Sequence, residues 1–156
     1  MAGPTRLGLT AAAALLLGLG IYVLDRDWST TLFLAPFADA QWQRLGLFGE
    51  AGQVLPSFLH AYAIAVLLVL TLRPWPRSRG WLCAGWFAIA AALEFLQANA
   101  VTTLVFAQSG TPIDHALFKP LALYALQGHF DIADLCATAL GCMTAYVATT
   151  TLEKHR

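Results

Sequence analysis

The stretch AGQVLPSFLHAYAIAVLLVLTL, from Ala51 to Leu72, carries no Asp, Glu, Lys or Arg and a single histidine, His60. A helix rising 1.5 Å per residue needs about 20 mostly apolar residues to cross a hydrocarbon core roughly 30 Å thick, and this run meets that length. Three more segments read the same way. Leu7 to Leu24 is uncharged, 80–100 carries only Glu94, and 132–152 is uncharged from Leu135 onward. The pattern predicts an all-α polytopic membrane protein, a bundle of four transmembrane helices over 7–24, 51–72, 80–100 and 132–152, in a single membrane domain over 1–156. Between the third and fourth spans, Val101 to Ala107 and Ala116 to Gln127 are apolar but too short to cross, and Lys119 and Pro120 interrupt the second. An interfacial or re-entrant segment over 101–127 is expected there.

Composition agrees. The 156 residues are 58% hydrophobic and 12% charged, with mean hydropathy +0.64, against roughly 45–50% apolar and 25% charged in soluble domains. Nine basic and nine acidic residues cancel, which removes the electrostatic footprint of a nucleic-acid binder. The first span resembles a secretory signal only superficially. Arg6 precedes it and Ala38-Asp-Ala40 mimics a cleavage site, but Asp25-Arg-Asp27 intervenes and the apolar run is long, so an uncleaved helix is expected.

Orientation follows from the basic residues. Arg6, Arg73, Arg77, Arg79, Lys154 and Arg156 fall on one side of four crossings, and Arg26, Arg44 and Lys119 on the other. The excess places both termini and the Arg73–Arg79 turn in the cytoplasm, with Trp75 as an interfacial anchor.

Counted inward from the outer ends of the helices, the costly polar residues gather at one depth. Glu94 and Gln97 end the third span, His60 lies in the outer half of the second, and His129, Asp131 and Asp134 open the fourth. Glu94 and Gln97 are three apart and share a face, as do Asp131 and Asp134, whose face continues through Thr138, Gly141 and Ala145. A stripe of small residues suits close helix contact. Thr10, Ala14, Gly18 and Tyr22 form the corresponding stripe on the first helix, with the Tyr22 hydroxyl near the cluster. An ionisable side chain near mid-bilayer costs about 2.5–3.5 kcal/mol on insertion scales, so Glu94 is expected to face the bundle interior, at least partly protonated or hydrogen-bonded to His60 or Gln97.

Three elements of the chain resemble the VanZ-like family of small bacterial membrane proteins. They are Phe58-Leu-His60-Ala-Tyr62, Glu94-Phe-Leu-Gln97, and Asp131-Ile-Ala-Asp134 followed by Thr138 and Gly141, in the family's order over roughly residues 54 to 150. The family's arginine before the first aspartate is absent, with His129 as the nearest polar substitute. Its usual asparagine is Thr138, Tyr62 stands one position early, and the stretch between Gln97 and Asp131 is long. The resemblance implies a link to resistance against glycopeptide antibiotics such as teicoplanin, and fold-level analogy does not transfer that phenotype.

Two readings of His60, Glu94, Gln97, His129, Asp131, Asp134 and Thr138 stand side by side. One is a hydrogen-bond network that joins helices. The other is an outward-facing pocket for an amphiphile: an envelope lipid, a lipid-linked cell-wall intermediate or a lipophilic antibiotic. An accessory subunit of a larger membrane complex, with a protein partner in the bilayer, is the alternative to a binder. For catalysis on a lipid headgroup, Glu94, Asp134 and His60 are the candidates as general acid and base. No nucleophile accompanies them, because Cys136 lies about 200° round the helix from Asp134. His60, Glu94, His129 and Asp131 or Asp134 have ligand types that zinc accepts, but their spacing matches no zinc signature, so neither metal nor cofactor is expected. A proton-coupled transporter is disfavoured by the absence of an internal repeat and by the one-sided depth of the polar groups. Cys83, Cys136 and Cys142 form no C-x-x-C motif and read as free thiols. His115 and His155 lie outside the cluster.

Overall fold

A computed structural model describes residues 2–28, 34–40, 45–72, 78–98, 125 and 129–151. Among them the chain is all-helical, with no strand. The long helices are α1 (Ala2–Asp25), α2 (Ala51–Thr71), α3 (Arg79–Leu96) and α4 (Ile132–Thr151), and a short 3-10 turn covers Ala35–Ala40. All four long helices are long and apolar enough to cross a membrane, as in a multi-pass membrane protein. The predicted spans agree with them within a few residues, except that α1 begins five residues earlier than Leu7. The expected re-entrant segment 101–127 lies outside the described residues apart from Ala125, as do His115 and His155.

The bundle is organised around α2, which packs along both α1 and α4, while α3 lies against α4 and α2. Small residues make this possible. Ala61, Ala63, Ala65 and Val66 of α2, Ala11 and Ala14 of α1, and Ala137 and Ala145 of α4 are all buried. In lipid, helix association has no hydrophobic drive and depends on contact between closely approaching backbones. The closest approach is at Gly141. A Cβ built there would stand 2.5 Å from the Phe58 carbonyl oxygen and 3.0 Å from both Ala61 Cβ and Tyr62 N. The Asp134–Gly141–Ala145 stripe is therefore the face of α4 that meets α2, as its spacing predicts.

The α1 stripe meets α2 in the same manner. Thr10 Oγ1 donates to the Leu7 carbonyl at 2.9 Å, which leaves the Tyr62 hydroxyl to donate to Thr10 Oγ1 across 2.8 Å. Higher up, the His60 ring lies over Gly18, with its Cε1 3.1 Å from where a Cβ would stand. The large exposed side chains point outward: Leu9, Leu16 and Leu19 on α1, Trp81 and Ile89 on α3, and Leu140, Met143 and Val147 on α4.

The connection into α2 is held by Asp25, the last residue of α1. Its Oδ1 accepts from Leu47 N and its Oδ2 from Phe48 N, each at 2.8 Å. Gly46 and Gly49 flank these donors at φ of +61° and +51°. Among the described residues, these two have the left-handed backbone that glycine adopts without a Cβ penalty. One carboxylate thus ties the end of α1 to the start of α2, and Gly52, 3.3 Å from Asp25 Oδ2 at its would-be Cβ, leaves room for it.

Candidate functional site

The C-termini of α1 and α3 and the N-termini of α2 and α4 meet at one end of the bundle, and that end holds the polar residues. Asp131 caps α4. Its Oδ1 accepts from Ala133 N at 2.8 Å, which satisfies an N–H that the helix leaves without an internal partner. One turn on, Asp134 Oδ1 accepts from Ser57 Oγ at 2.7 Å and joins α4 to α2. Glu94 Oε1 accepts from Asp131 N at 2.9 Å and joins α3 to α4.

Two expectations about partners are corrected here. Glu94 bonds neither to His60 nor to Gln97: its Oε1 takes the N–H of Asp131, which has no partner inside α4. His60 turns back on its own helix, its Nδ1 2.8 Å from the Pro56 carbonyl oxygen. A carbonyl only accepts, so the proton is assigned to Nδ1, and Nε2 of the neutral ring carries a lone pair.

The remaining members fall as follows. The Tyr22 ring lies 5.7 Å from the His60 ring at 43°. Arg26, one turn past Tyr22, places its guanidinium carbon 5.1 Å from the centre of that ring and donates through Nη2 to the Gln53 carbonyl. Its charge also reaches Asp134. Tyr22 in turn feels Arg26, Asp134 and Glu94, so groups from α1, α3 and α4 lie within Coulomb range of one another. Gln97 is buried, with 8% of its surface exposed. Thr138 is half-buried on the face of α4 toward α2, and His129 and Asp131 are exposed at the rim.

What these groups leave unused is as informative as the bonds they make. Among the described residues, Glu94 Oε2, Asp134 Oδ2, His60 Nε2, the Tyr22 hydroxyl and the Gln97 carboxamide make no hydrogen bond with protein. Helix joining accounts for one oxygen of each interior carboxylate and leaves the other. A polar group in a low-dielectric interior is normally satisfied by protein or by something bound. No three His, Cys, Asp or Glu side chains among the described residues are grouped to hold a metal ion. Cys136 is exposed, away from Asp134, while Cys83 and Cys142 are buried, and all three are free thiols.

Arg26, Ser57 and Asp25 escaped the sequence reading, though two of them carried a signal. Arg26 stands four residues after Tyr22, and Ser57 three before His60, spacings that put each pair on one helix face. Asp25 had none, since its partners are backbone N–H groups of a distant turn. The sequence matches no family model, and neither a curated protein nor a solved structure matches it, so a role has to be argued from this site.

Proposed function

We propose that this chain is a VanZ-like protein of the bacterial inner membrane whose polar end faces outward and binds an amphiphile. The headgroup contacts Glu94 and Asp134, with Gln97, His60 and Tyr22 beside them and His129 and Asp131 at the rim. The acyl part lies along the lipid-facing sides of the helices. The outward orientation, with both termini in the cytoplasm, rests on the basic residues of the N-terminus, the α2–α3 turn and the C-terminus.

One observation carries this reading. Among the described residues, two half-buried carboxylates, an imidazole, a phenol and a carboxamide from four helices retain hydrogen-bonding capacity at one end of the bundle. A network evolved only to join helices can be built from uncharged side chains at lower desolvation cost, and it closes its bonds on itself.

The test is native mass spectrometry of the full chain released from bacterial membranes in mild detergent. Wild type is expected to carry a lipid-sized adduct, and Glu94→Gln and Asp134→Asn to lose most of it. Equal adducts on all three proteins would make the cluster a helix joint and nothing more.

A further inference from the structure

Charge is unevenly divided within the polar end. Asp134 lies within reach of the positive charge of Arg26. Glu94 stands beside Asp131, whose N–H its Oε1 accepts at 2.9 Å, and Asp131 and Asp134 both add negative charge there. The α3–α4 side of the site is thus the side where a cation is most favoured.

The same side carries an aromatic surface. Phe95 follows Glu94 and Phe130 precedes Asp131, so the Glu94–Asp131 hydrogen bond brings the two rings together. Their centroids are 5.3 Å apart at 18°, and both rings remain exposed, Phe95 at 49% and Phe130 at 36%. Exposed ring faces beside carboxylates attract an organic cation approaching within about 6 Å. One turn beyond Glu94 on the same helix face, Gln97 is nine-tenths buried and its carboxamide has no partner among the described residues. An amide offers both donors and an acceptor, which suits the oxygens next to a cationic group.

We infer that the amphiphile is a lipid with a primary-ammonium headgroup of the phosphoethanolamine type. The ammonium lies between Glu94 Oε2 and the Asp131 carboxylate, against Phe95 and Phe130, and a neighbouring headgroup oxygen accepts from the Gln97 amide. A primary ammonium has three donors for these acceptors. A trimethylammonium keeps the attraction to the rings but has none, and an anionic headgroup meets like charge. This inference rests on the amphiphile-binding reading above and specifies its ligand.

The test titrates delipidated full-length protein in detergent with dioleoyl-phosphatidylethanolamine, -phosphatidylcholine or -phosphatidylglycerol and reads bound lipid by native mass spectrometry. The phosphatidylethanolamine is expected to bind about tenfold tighter than the phosphatidylglycerol, with the phosphatidylcholine between them. Glu94→Gln is expected to abolish the preference and Glu94→Asp to retain part of it. Asp131→Asn, which keeps an N-cap side chain, is a second variant at an exposed position and is expected to reduce the preference. Binding of the phosphatidylglycerol equal to or tighter than that of the phosphatidylethanolamine, still weakened by Glu94→Gln, would overturn the ammonium assignment and leave amphiphile binding standing. No lipid binding that depends on Glu94 would overturn both. Displacement of the bound lipid by an equal concentration of free phosphoethanolamine would overturn the lipid as the ligand's source.

Discussion

Replacing Gly141 by alanine probes the contact on which the arrangement of the bundle depends. The added methyl carbon would stand 2.5 Å from the Phe58 carbonyl oxygen, 3.0 Å from Tyr62 N and 3.0 Å from Ala61 Cβ. All three belong to the backbone or its first side-chain atom, so no rotamer change relieves the overlap. Close carbon–oxygen contacts between helices lie at about 3.3–3.6 Å, so α2 and α4 have to separate by about 1 Å at this level. A gap of that size forfeits about a quarter to a half of the dispersion well for each atom pair it opens. Overpacking in a well-packed interior costs about 1–3 kcal/mol. Alanine's better helix propensity offsets this by about 0.8–1 kcal/mol in aqueous hosts. The net expectation against wild type is a loss of about 0–2 kcal/mol, and against a glycine-to-alanine change that keeps the propensity gain alone a loss of about 1–3 kcal/mol, a factor of about 5 or more in the folded-to-unfolded ratio. Thermal unfolding in a single detergent, followed by helical ellipticity, measures it. Gly85→Ala in α3 is the control, because a Cβ there meets nothing within 4 Å and the propensity gain acts alone. A Gly141→Ala protein as stable as Gly85→Ala, or more stable, would refute the close α2–α4 approach.

Three other outcomes are expected. A double-mutant cycle of Ser57→Ala and Asp134→Asn should give a stabilising coupling of about 0.6 kcal/mol and at most about 1.7, read from unfolding midpoints, with zero coupling ruling out the 2.7 Å bond. Asp25→Ala should destabilise by about 1.5–3 kcal/mol and speed proteolysis within 45–50, since two charge-assisted bonds to the turn are lost; unchanged cleavage would mean the clasp is not formed. A small maleimide should modify Cys136 in the folded protein and leave the buried Cys83 and Cys142 until denaturation, as counted by intact mass. Early labelling of Cys142 would contradict its burial between the helices.

The spans were legible because the physics that sets them is one-dimensional. A bilayer of fixed thickness demands a largely apolar run of fixed length, and four such runs, one of them interrupted only by Glu94, stand out between Arg6 and Lys154. The faces of α1 and α4 were legible for a similar reason. Thr10, Ala14 and Gly18, and Asp134, Gly141 and Ala145, recur at helical spacing, and small residues mark where backbones approach. Partners within the polar end were not legible. The nearest acceptor for His60 is its own helix at Pro56, and the nearest donor for Glu94 is the first backbone N–H of another helix. Arg26, which looked like a loop residue beyond the first span, folds back over Tyr22 and toward Asp134.

By itself, then, the sequence determined that this protein is a multi-pass helical bundle and which side chains are costly within its spans. Both follow from hydropathy and helical periodicity, which are properties of each segment alone. Only the tertiary structure decided which helix stands at the centre, which oxygen of each carboxylate joins helices and which is left over, and where Asp25 clasps the α2 entry. These depend on distances of a few ångströms between segments far apart in the chain, and spacing along one helix carries no information about them.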